Sequence, residues 1–425
     1  MEWFCSCCFK IVNIVKRNLI IIDIMKMSAL TFAISLLVLA SCGNGGYEEW
    51  NGGKPSGGNG DDNTPAVPAS ERWAALADSC TNVLVTNYLD VTTGTFWSSP
   101  RDMEHGSTNI YWQQAHALDV LIYSYARIKD SNPSLASKYL EYFGKWYDND
   151  ANNYNNSHDS EGEYGGFFND WTDDMAWICL TLLKLTDYTG VEKYATTARD
   201  IYDNYIWTRS TKCDKGVCLP WTNHAEDKTN FNACTNAPSC LVAAMLYNRF
   251  KEEKYLSNAV ALYDFNIKNM PDAERVEEPP LSYTQGTFGE AARVLYHITS
   301  EKSYMDKAAQ VLLYCLNSNR TTTNGLLRSE GESMDQSIFK AVFVPYAVNY
   351  VLDDKADKSS ALAIKEKLLQ NAEALSNNLD RTYYPSMYCN YYWGSTVNVG
   401  ATVQMGAQAS GASLIENVAR MVAGE

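Results

Sequence analysis

The lengths of the connections between helices constrain the fold of this chain more than any other feature of its sequence. From about Arg72 onward, apolar residues recur at three- and four-residue spacing, which is typical of amphipathic helices. The connections after the first, third, fifth, seventh, ninth and eleventh of these segments are long, whereas the others are only a few residues each. We count about twelve segments, near residues 70–89, 107–129, 133–149, 172–189, 191–207, 233–250, 252–269, 285–299, 302–317, 333–352, 358–377 and 403–422.

This alternation predicts an all-α toroid built from six helical hairpins. Short turns such as Thr189-Gly190 join antiparallel neighbours, so strict alternation places every long connection at the same end of the array. Hairpins with a short turn at one end and a long connection at the other favour a closed α/α toroid over a bundle or an open solenoid. A weak repeat supports this fold, because a short turn followed by a tyrosine and, four residues later, an alanine recurs at Tyr194, Tyr255 and Tyr304.

The first seventy residues are typical of export and tether segments. A basic start at Met25-Lys26-Met27 precedes the apolar run from Ala29 to Leu39, which is short for a membrane span. The run ends in Leu39-Ala40-Ser41-Cys42, which resembles the lipobox of bacterial lipoproteins, so Cys42 is the expected lipidation site. A plain cleaved signal peptide is the alternative. The predicted organisation is a leader and lipoprotein signal segment at 1–41, a flexible tether at 42–70 and a folded catalytic domain at 71–425.

Composition narrows the class of partner. A net charge of −15 argues against nucleic acid or an anionic membrane surface. The 28 Tyr and 11 Trp suit a neutral polar ligand with an apolar face, such as a carbohydrate, although most of these rings will fill the helical core. With the lipid anchor, we expect a monomeric outer-membrane lipoprotein on the cell surface or the periplasmic face.

Cysteine and histidine form no metal motif in the sequence. Cys213 and Cys218 are close enough to pair, as are Cys234 and Cys240, and export would permit disulfides. Neither spacing matches a zinc site, and the five histidines form no ligand cluster with these cysteines. We therefore expect structural or free thiols, no structural metal and no cofactor.

Two consecutive aspartates, Asp173 and Asp174, stand where a loop rich in Gly, Asn and aromatic residues becomes an apolar helix. Adjacent carboxylates among aromatic rings are costly, because repulsion and desolvation favour protonation of one of them. Enzymes that cleave sugars need this combination of a carboxylate and a carboxylic acid. The other interpretation is an ordinary helix start, where acidic residues complement the helix dipole.

The adjacency of the two aspartates favours one stereochemical outcome. Consecutive residues start from Cα atoms about 3.8 Å apart, so their carboxyl groups can lie about 5–5.5 Å apart, as in a retaining glycosidase. An inverting pair needs roughly 6.5–9.5 Å to admit a water molecule. The helix dipole would support one ionised nucleophile, whose charge, with Trp171 and Trp177, would raise the pKa of the neighbouring carboxyl into the range of a general acid.

The long connections hold most of the polar and aromatic clusters, which would face one cavity in a toroid. Aromatic rings can cover the C–H faces of a sugar, while amides and carboxylates bind its hydroxyls. The tryptophans are equally compatible with packing in the toroid, and Gln114 and Gln285 could equally bond neighbouring backbone. The candidate substrate-binding residues are Trp112, Gln114, Phe168, Trp221, Asn236, Tyr283, Gln285, Asp335 and Trp393.

Several of these segments together resemble glycoside hydrolase family 76, the endo-α-1,6-mannanases. The resemblance extends from roughly Arg72 to the end of the chain, and the motifs fall in the family's order. The family usually has an aromatic residue before the aspartate pair, where this chain has Thr172. The matching stretches are Tyr111 to Ala117, Gly166 to Trp177, Asn232 to Pro238, Tyr283 to Gly286, Asp335-Gln336 with Phe339-Lys340, and Gln408 to Ser410.

The resemblance implies an (α/α)₆ barrel that hydrolyses α-1,6-linked mannan with retention, so α-mannan or its oligosaccharides are the expected partner. It also implies that Asp173 is the nucleophile and Asp174 the general acid/base, an order that local chemistry alone does not give. A surface lipoprotein that binds glycan without cutting it remains an alternative. Another toroidal enzyme, such as an unsaturated uronyl hydrolase or a polysaccharide lyase, would call for a basic cluster, and Lys228 and Arg328 are nearly all the sequence offers.

Overall fold

The computed structural model describes residues 67–100, 106, 110–153 and 167–424. The predicted leader and the lipidation site Cys42 lie outside the described residues, as does all of the predicted tether except its last few positions. The expectations about export, anchoring and the tether therefore stay predictions. No helix in the described ranges is both long enough and apolar enough to cross a membrane.

Twelve α-helices dominate the described residues, and each coincides with a helix predicted from the sequence. Their ends differ from the predicted ends by a few residues, and the long and short connections alternate as predicted. The helices are α1 (Ala69–Val83), α2 (Trp112–Ile128), α3 (Pro133–Asn153), α4 (Thr172–Thr189), α5 (Glu192–Ile201), α6 (Ala233–Phe250), α7 (Glu253–Asn269), α8 (Ser282–Thr299), α9 (Lys302–Asn317), α10 (Met334–Val351), α11 (Lys358–Asn378) and α12 (Met405–Ala423).

Two outer helices continue in other helical geometries. Helix α1 passes into a π-helix at Leu84–Tyr88, and α5 passes into a π-helix at Tyr202–Ile206 and a 3₁₀ turn at Trp207–Arg209. Two short antiparallel hairpins lie in the long connections after α5 and α9. Their strands are β1 (Thr211–Cys213) with β2 (Gly216–Cys218), in which Thr211 faces Cys218, and β3 (Thr322–Thr323) with β4 (Leu326–Leu327), in which Thr322 faces Leu327.

The even-numbered helices form a closed inner ring. Helix α2 packs on α4, α4 on α6, α6 on α8, α8 on α10, α10 on α12, and α12 returns to α2. The odd-numbered helices pack outside this ring, with α1 against α12, α3 against α2, α5 against α4, α7 against α6, α9 against α8, and α11 against α10 and α12. The protein is therefore an (α/α)₆ barrel.

Burial separates the two rings. Fourteen of the 18 residues of α4 are buried, because neighbours surround an inner helix on nearly every side. In the outer helix α11, by contrast, only six of 21 residues are buried, and they recur at three- and four-residue spacing. Glycine permits the closest approach within the inner ring, since a Cβ built on Gly286 of α8 would lie 2.7 Å from the Cα of Phe343 in α10.

A buried ion pair ties α2 to α4 inside the ring. The ammonium group of Lys184 donates to Asp119 Oδ2 at 2.6 Å, and the hydroxyl of Thr181 donates to Asp119 Oδ1 at 2.8 Å. Burial opposes ionisation of Asp119, but the charge of Lys184 and the contacts with His116 and Lys184 together outweigh it and keep the pKa of Asp119 below its ordinary value. The pair therefore stays charged within the barrel.

Candidate active site

Asp173 and Asp174 occupy the first turn of α4, which begins at Thr172. Every inner helix follows a long connection, so the first turns of all six inner helices lie at the same mouth of the barrel. Asp173 is buried with 9% of its surface exposed, and Asp174 is half-buried. Among the described residues, neither carboxyl group forms an ion pair with a basic side chain, although Arg209 is near enough for its charge to interact with that of Asp173.

A single arginine holds the backbone that leads into α4. Arg209 Nη1 donates to the carbonyl oxygen of Asp170 at 2.7 Å and to Thr172 Oγ1 at 3.0 Å, and its Nη2 donates to the carbonyl oxygen of Asn169 at 2.8 Å. Three hydrogen bonds from one planar group restrict this segment to one conformation. The small Thr172, which departs from the family pattern, is the residue whose hydroxyl meets this guanidinium.

The connection after β2 lies directly against the start of α4. The backbone N–H of Thr172 donates to the carbonyl oxygen of Trp221 at 2.8 Å, and Trp171 forms an antiparallel bridge with Thr222. This pairing brings the indole of Trp221 to the aspartate pair, where its Nε1 donates to Asp173 Oδ2 at 3.2 Å. Trp221 was predicted from the sequence as a sugar ligand, and in the structure it contacts the predicted nucleophile itself.

Sequence reasoning missed two further groups beside Asp173. The Cys234 thiol in the first turn of α6 lies 3.5 Å from Asp173 Oδ2, and this cysteine is free. Glu277 lies in the same region, and its Oε1 accepts a hydrogen bond from the backbone N–H of Ala233 at 3.0 Å. Burial raises the pKa of Glu277 to about 7, and the charge of Asp173 adds to the rise. In the sequence, the signal that could have identified Cys234 as a site residue is its position at the start of a predicted inner helix.

The two aspartates titrate in an order that suits general acid catalysis. Burial raises the pKa of Asp173 to about 6, while hydrogen bonds from Cys234 and Trp221 act in the opposite direction. The pKa of Asp174 is raised well above that of an ordinary carboxyl group by burial, then by the charge of Asp173 and that of Asp335. Near neutral pH, the arrangement therefore favours an ionised Asp173 beside a protonated Asp174.

Four aromatic rings from four inner helices meet in a closed circuit at the mouth. Trp112 lies 6.3 Å from Trp177, Trp177 lies 5.9 Å from Tyr283, Tyr283 stacks on Phe339 at 4.2 Å, and Phe339 lies 6.0 Å from Trp112, all between ring centroids. We call these residues the aromatic circuit. Three of them are half-exposed and Trp177 is buried, so the circuit offers ring surface to a ligand.

Asp335 lies beside the circuit at the start of α10. Its Oδ1 accepts the indole N–H of Trp112 at 3.2 Å and also accepts the side-chain amide of Gln113. Its charge raises the pKa of Asp174, which places Asp335 close to the aspartate pair. The structure thus brings together Asp173, Asp174, Trp221, Trp112, Tyr283 and Asp335 from the predicted site.

Three predicted sugar ligands are buried amides that bind protein backbone instead. Each amide reaches the long connection that precedes its own helix, and for Gln114 and Gln285 this is the alternative interpretation given from the sequence. Gln114 accepts from the backbone N–H of Phe96 at 2.7 Å, Asn236 accepts from that of Leu219 at 2.8 Å, and Gln285 accepts from that of Val276 at 3.4 Å.

Two predicted aromatic ligands differ in their surroundings. Trp393 is fully buried, and the ammonium group of Lys340 lies 4.3 Å from its ring centroid, so its prediction as a sugar ligand is wrong in this structure. Phe168 is half-exposed and packs edge-to-face on Tyr205 at 5.1 Å between centroids. Its role as a ligand stays a prediction.

A cavity at the opposite end of the ring is separate from this site. It has a volume of about 550 Å³ and is lined by residues from the last turns of the inner helices, among them Lys184 and Asp187. Lys184 lies eleven residues beyond Asp173 on α4, which corresponds to about 16 Å along a helix. The charged groups of its wall are paired, Lys184 with Asp119, Arg249 with Asp187 and Arg293 with Glu290.

No metal site accompanies the aspartate pair in the described part of the chain. There, no group of three or more His, Cys, Asp or Glu side chains is placed to hold a metal ion. The polar groups within contact of Asp173 are hydrogen-bond donors, namely an indole N–H and a thiol. Carboxyl groups in such surroundings can donate a proton or attack as a nucleophile.

The fold is shared with solved structures. An inactive α-1,6-mannanase variant of Salegentibacter sp. HEL1_6, with two consecutive aspartates replaced by alanine and α-1,6-mannotetrose bound, matches with a TM-score of 0.70 and 23% identity over 82% of this chain and 99% of its own. A family 76 mannosidase of Bacteroides thetaiotaomicron matches with a TM-score of 0.63 and 17% identity over 83% of this chain and 98% of its own. Dfg5 of Chaetomium thermophilum, in complex with glucosamine, matches with a TM-score of 0.63 and 14% identity over 82% of this chain and 90% of its own.

Comparison with curated proteins returned no match. The sequence profile described as Glycosyl hydrolase family 76 matches residues 72–423, which include the aspartate pair, the aromatic circuit and all twelve helices except the first three residues of α1. This match covers most of the chain and agrees with the fold. The chain therefore belongs to glycosyl hydrolase family 76.

Proposed function

We propose that this protein is a retaining, endo-acting glycoside hydrolase that cleaves α-1,6-linked mannan backbones. The observation that carries the proposal is the aspartate pair at the mouth of the barrel, with Asp173 titrating near pH 6 and Asp174 held protonated at higher pH. Family membership supports glycoside hydrolysis over the glycan-binding and uronyl alternatives. The choice of substrate is supported by the similar structure that is described as an α-1,6-mannanase with bound α-1,6-mannotetrose.

The proposed reaction is a double displacement. In the first step, the Asp173 carboxylate attacks the anomeric carbon while the Asp174 carboxyl donates its proton to the glycosidic oxygen, which leaves as an alcohol. In the second step, Asp174 takes a proton from water, and the resulting oxygen attacks the anomeric carbon and releases Asp173. Both steps balance with side chains, water and substrate alone.

The remaining groups at the mouth suit a mannosyl chain. The half-exposed rings of Trp112, Tyr283 and Phe339 can cover the C–H faces of sugar rings, and Phe339 is an addition to the residues predicted from the sequence. Asp335 is exposed and keeps acceptor capacity for sugar hydroxyls after it accepts from Trp112. Phe168, which is half-exposed in the loop that leads into α4, is a further predicted sugar ligand.

We also propose that the enzyme works as a monomer outside the cytoplasm, tethered to the outer membrane through Cys42. The support is the sequence Leu39-Ala40-Ser41-Cys42 after a short apolar run, followed by a segment poor in apolar residues. A tether of this composition would let the barrel reach polymer beyond the membrane surface.

The test is incubation of the purified full chain with debranched α-1,6-mannan, followed by chromatography of the products. We expect a ladder of oligosaccharides whose newly formed reducing ends have the α configuration in an early NMR spectrum. Free mannose alone would contradict internal cleavage, and a β product would contradict retention.

Matched variants separate catalysis from binding. Asp173→Asn and Asp174→Asn should each abolish turnover while oligosaccharide binding persists, because the amides keep the shape of the site but not its charge or proton. Asp187→Asn, at the far end of the same helix, should leave turnover unchanged. Binding of mannan by the wild-type chain without any product would identify a binding protein instead.

A further inference from the structure

We propose that Cys234 is a positioning residue whose thiol, together with the indole N–H of Trp221, holds one carboxylate oxygen of Asp173 and so fixes the orientation of this carboxylate. The inference rests on the proposed function, since it concerns the nucleophile of that reaction.

The contacts of Asp173 are divided unequally between its two oxygens. Oδ2 receives Trp221 Nε1 at 3.2 Å and lies 3.5 Å from the Cys234 sulfur. Oδ1 is buried and has no side-chain hydrogen-bond partner among the described residues. Two donors on the same oxygen restrict the rotation of the carboxylate, so Trp221 and Cys234 together fix the orientation of Asp173.

The thiol stays a donor across the neutral range. Burial raises the pKa of Cys234 well above its ordinary value, and the negative charges of Asp173 and Glu277 raise it further. The single thiol hydrogen has two acceptors in reach, Asp173 Oδ2 and Asn232 Oδ1, the latter at 3.2 Å. The Asn232 oxygen already accepts the backbone N–H of Thr235, whereas Asp173 carries a charge, which favours the carboxylate as acceptor.

Local structure places the sulfur rigidly. Cys234 is the second residue of α6, whose first turn is capped by Asn232, and Glu277 accepts the backbone N–H of Ala233. The hydroxyl of Tyr283 acts as a donor toward the same sulfur, which opposes the rise in the pKa of Cys234. The thiol therefore meets the carboxylate because the first turns of α4 and α6 are neighbours in the inner ring.

Loss of the thiol should alter the titration of Asp173 specifically. Hydrogen bonds to the carboxylate favour its charged form and lower the pKa of Asp173, whereas burial raises it. Removal of one donor should therefore raise the pKa of Asp173. The titratable and charged groups that influence Asp173 or its supports stay in place in such a variant, namely Asp174, Arg209, Glu277, Tyr283 and Asp335.

The test compares Cys234→Ala and Cys234→Ser in the full chain, with α-1,6-mannan as substrate. For Cys234→Ala we expect kcat to fall by about tenfold, KM to change less than about twofold, and the acid limb of the profile of kcat/KM against pH to move up by as much as about one unit. Cys234→Ser keeps a donor and should restore the acid limb and most of kcat.

Cys240→Ala is the matched control, because Cys240 lies on the same helix, is buried, and donates its thiol to the carbonyl oxygen of Ala259 instead. It should lower the melting temperature without moving the acid limb. Equal effects of Cys234→Ala and Cys240→Ala on stability and on the acid limb would show that Cys234 only packs, and would overturn the inference.

A second readout does not depend on turnover. The carboxyl carbon of Asp173 can be titrated by NMR in the wild-type chain and in Cys234→Ala, and the variant should titrate at higher pH. An unchanged midpoint would overturn the inference even in an active enzyme. An upward shift in a chain that does not cut mannan would support the contact while refuting the proposed function.

Discussion

At the scale of single residues, Asp173 is a carboxyl group that folding places in unfavourable surroundings. It is buried at the mouth of the barrel, and this burial raises its pKa from 3.8 to about 6. An acid whose pKa is higher in the folded than in the unfolded state binds its proton more tightly when folded. The folded state therefore loses stability as pH rises through this interval, and the full loss is present above about pH 6.

Asp173→Asn should stabilise the protein in a pH-dependent way. The amide has the same shape and can still accept from Trp221, but it carries no charge at any pH. A shift of about two pKa units corresponds to about 3 kcal/mol, so we expect the free energy of unfolding to rise by about 1–3 kcal/mol at pH 8 and by little below about pH 4. Urea unfolding at pH 4, 6 and 8 measures this difference. A gain that is the same at all three values would show that charge is not its cause.

At the scale of elements, four inner helices begin with the same device. An amide side chain in the first turn accepts a backbone N–H from a long connection, which leaves that loop fixed on the helix it covers. The device recurs because irregular loops over the mouth have backbone groups that no regular structure satisfies. The pairs are Gln114 with Phe96, Asn236 with Leu219, Gln285 with Val276, and Gln408 with Cys389.

Gln114→Leu should destabilise the fold through this loop. Its amide both accepts the backbone N–H of Phe96 and donates to the carbonyl oxygen of Phe96, at 2.7 and 2.8 Å. The substitution leaves these buried groups without that partner, which costs about 1–3 kcal/mol in the free energy of unfolding. Gln370→Leu on the exposed face of α11 is the control and should change stability by less than about 0.5 kcal/mol. Equal effects in urea unfolding would contradict the role of Gln114.

Gly286→Ala tests the close approach of α8 and α10. The added Cβ would lie 2.7 Å from the Cα of Phe343, so one helix must shift, and we expect a loss of about 1–3 kcal/mol. Gly144→Ala is the opposite case, because a Cβ there meets nothing within 4 Å in the helix α3. It should stabilise by about 0.5–1 kcal/mol through helix propensity. Thermal unfolding of the two variants should move in opposite directions, and a neutral Gly286→Ala would show that the helices can separate there freely.

At the scale of the whole molecule, the inner ring has no free edge. Helix α12 closes it by packing on both α10 and α2, and α1 packs on α12 from outside. Sixteen of the 19 residues of α12 are buried, so the last helix of the chain is among the most enclosed. The barrel therefore depends on contacts between the two ends of the sequence.

A chain truncated after Gln404 should fail to fold. Loss of α12 would expose the faces of α1, α2 and α10 that it covers, and no remaining element can fill the gap. We expect aggregation or a broad, non-cooperative thermal transition followed by circular dichroism. A chain that begins at Val67 is the control and should unfold in one sharp transition. Cooperative unfolding of the truncated chain would show that the open ring is stable by itself.

Patterns in the sequence are enough to predict the number and order of the helices, the toroidal fold and the mouth that carries the aspartate pair. These features depend on local properties, namely a helical period of apolar residues and the alternating lengths of connections. The aspartate pair was also recognisable in the sequence, because two adjacent carboxyl groups in a segment rich in aromatic residues are unusual in any fold.

The direction in which the polar and aromatic side chains at that mouth point depends on how the helices and loops pack in three dimensions. Gln114, Asn236 and Gln285 turn toward backbone, and Trp393 is buried against Lys340, although their spacing is compatible with a place in the cleft. Cys234 meets Asp173 across 61 positions of sequence. Periodicity gives the face of a helix but not the partner across it, because that partner is set by how the helices pack around the ring.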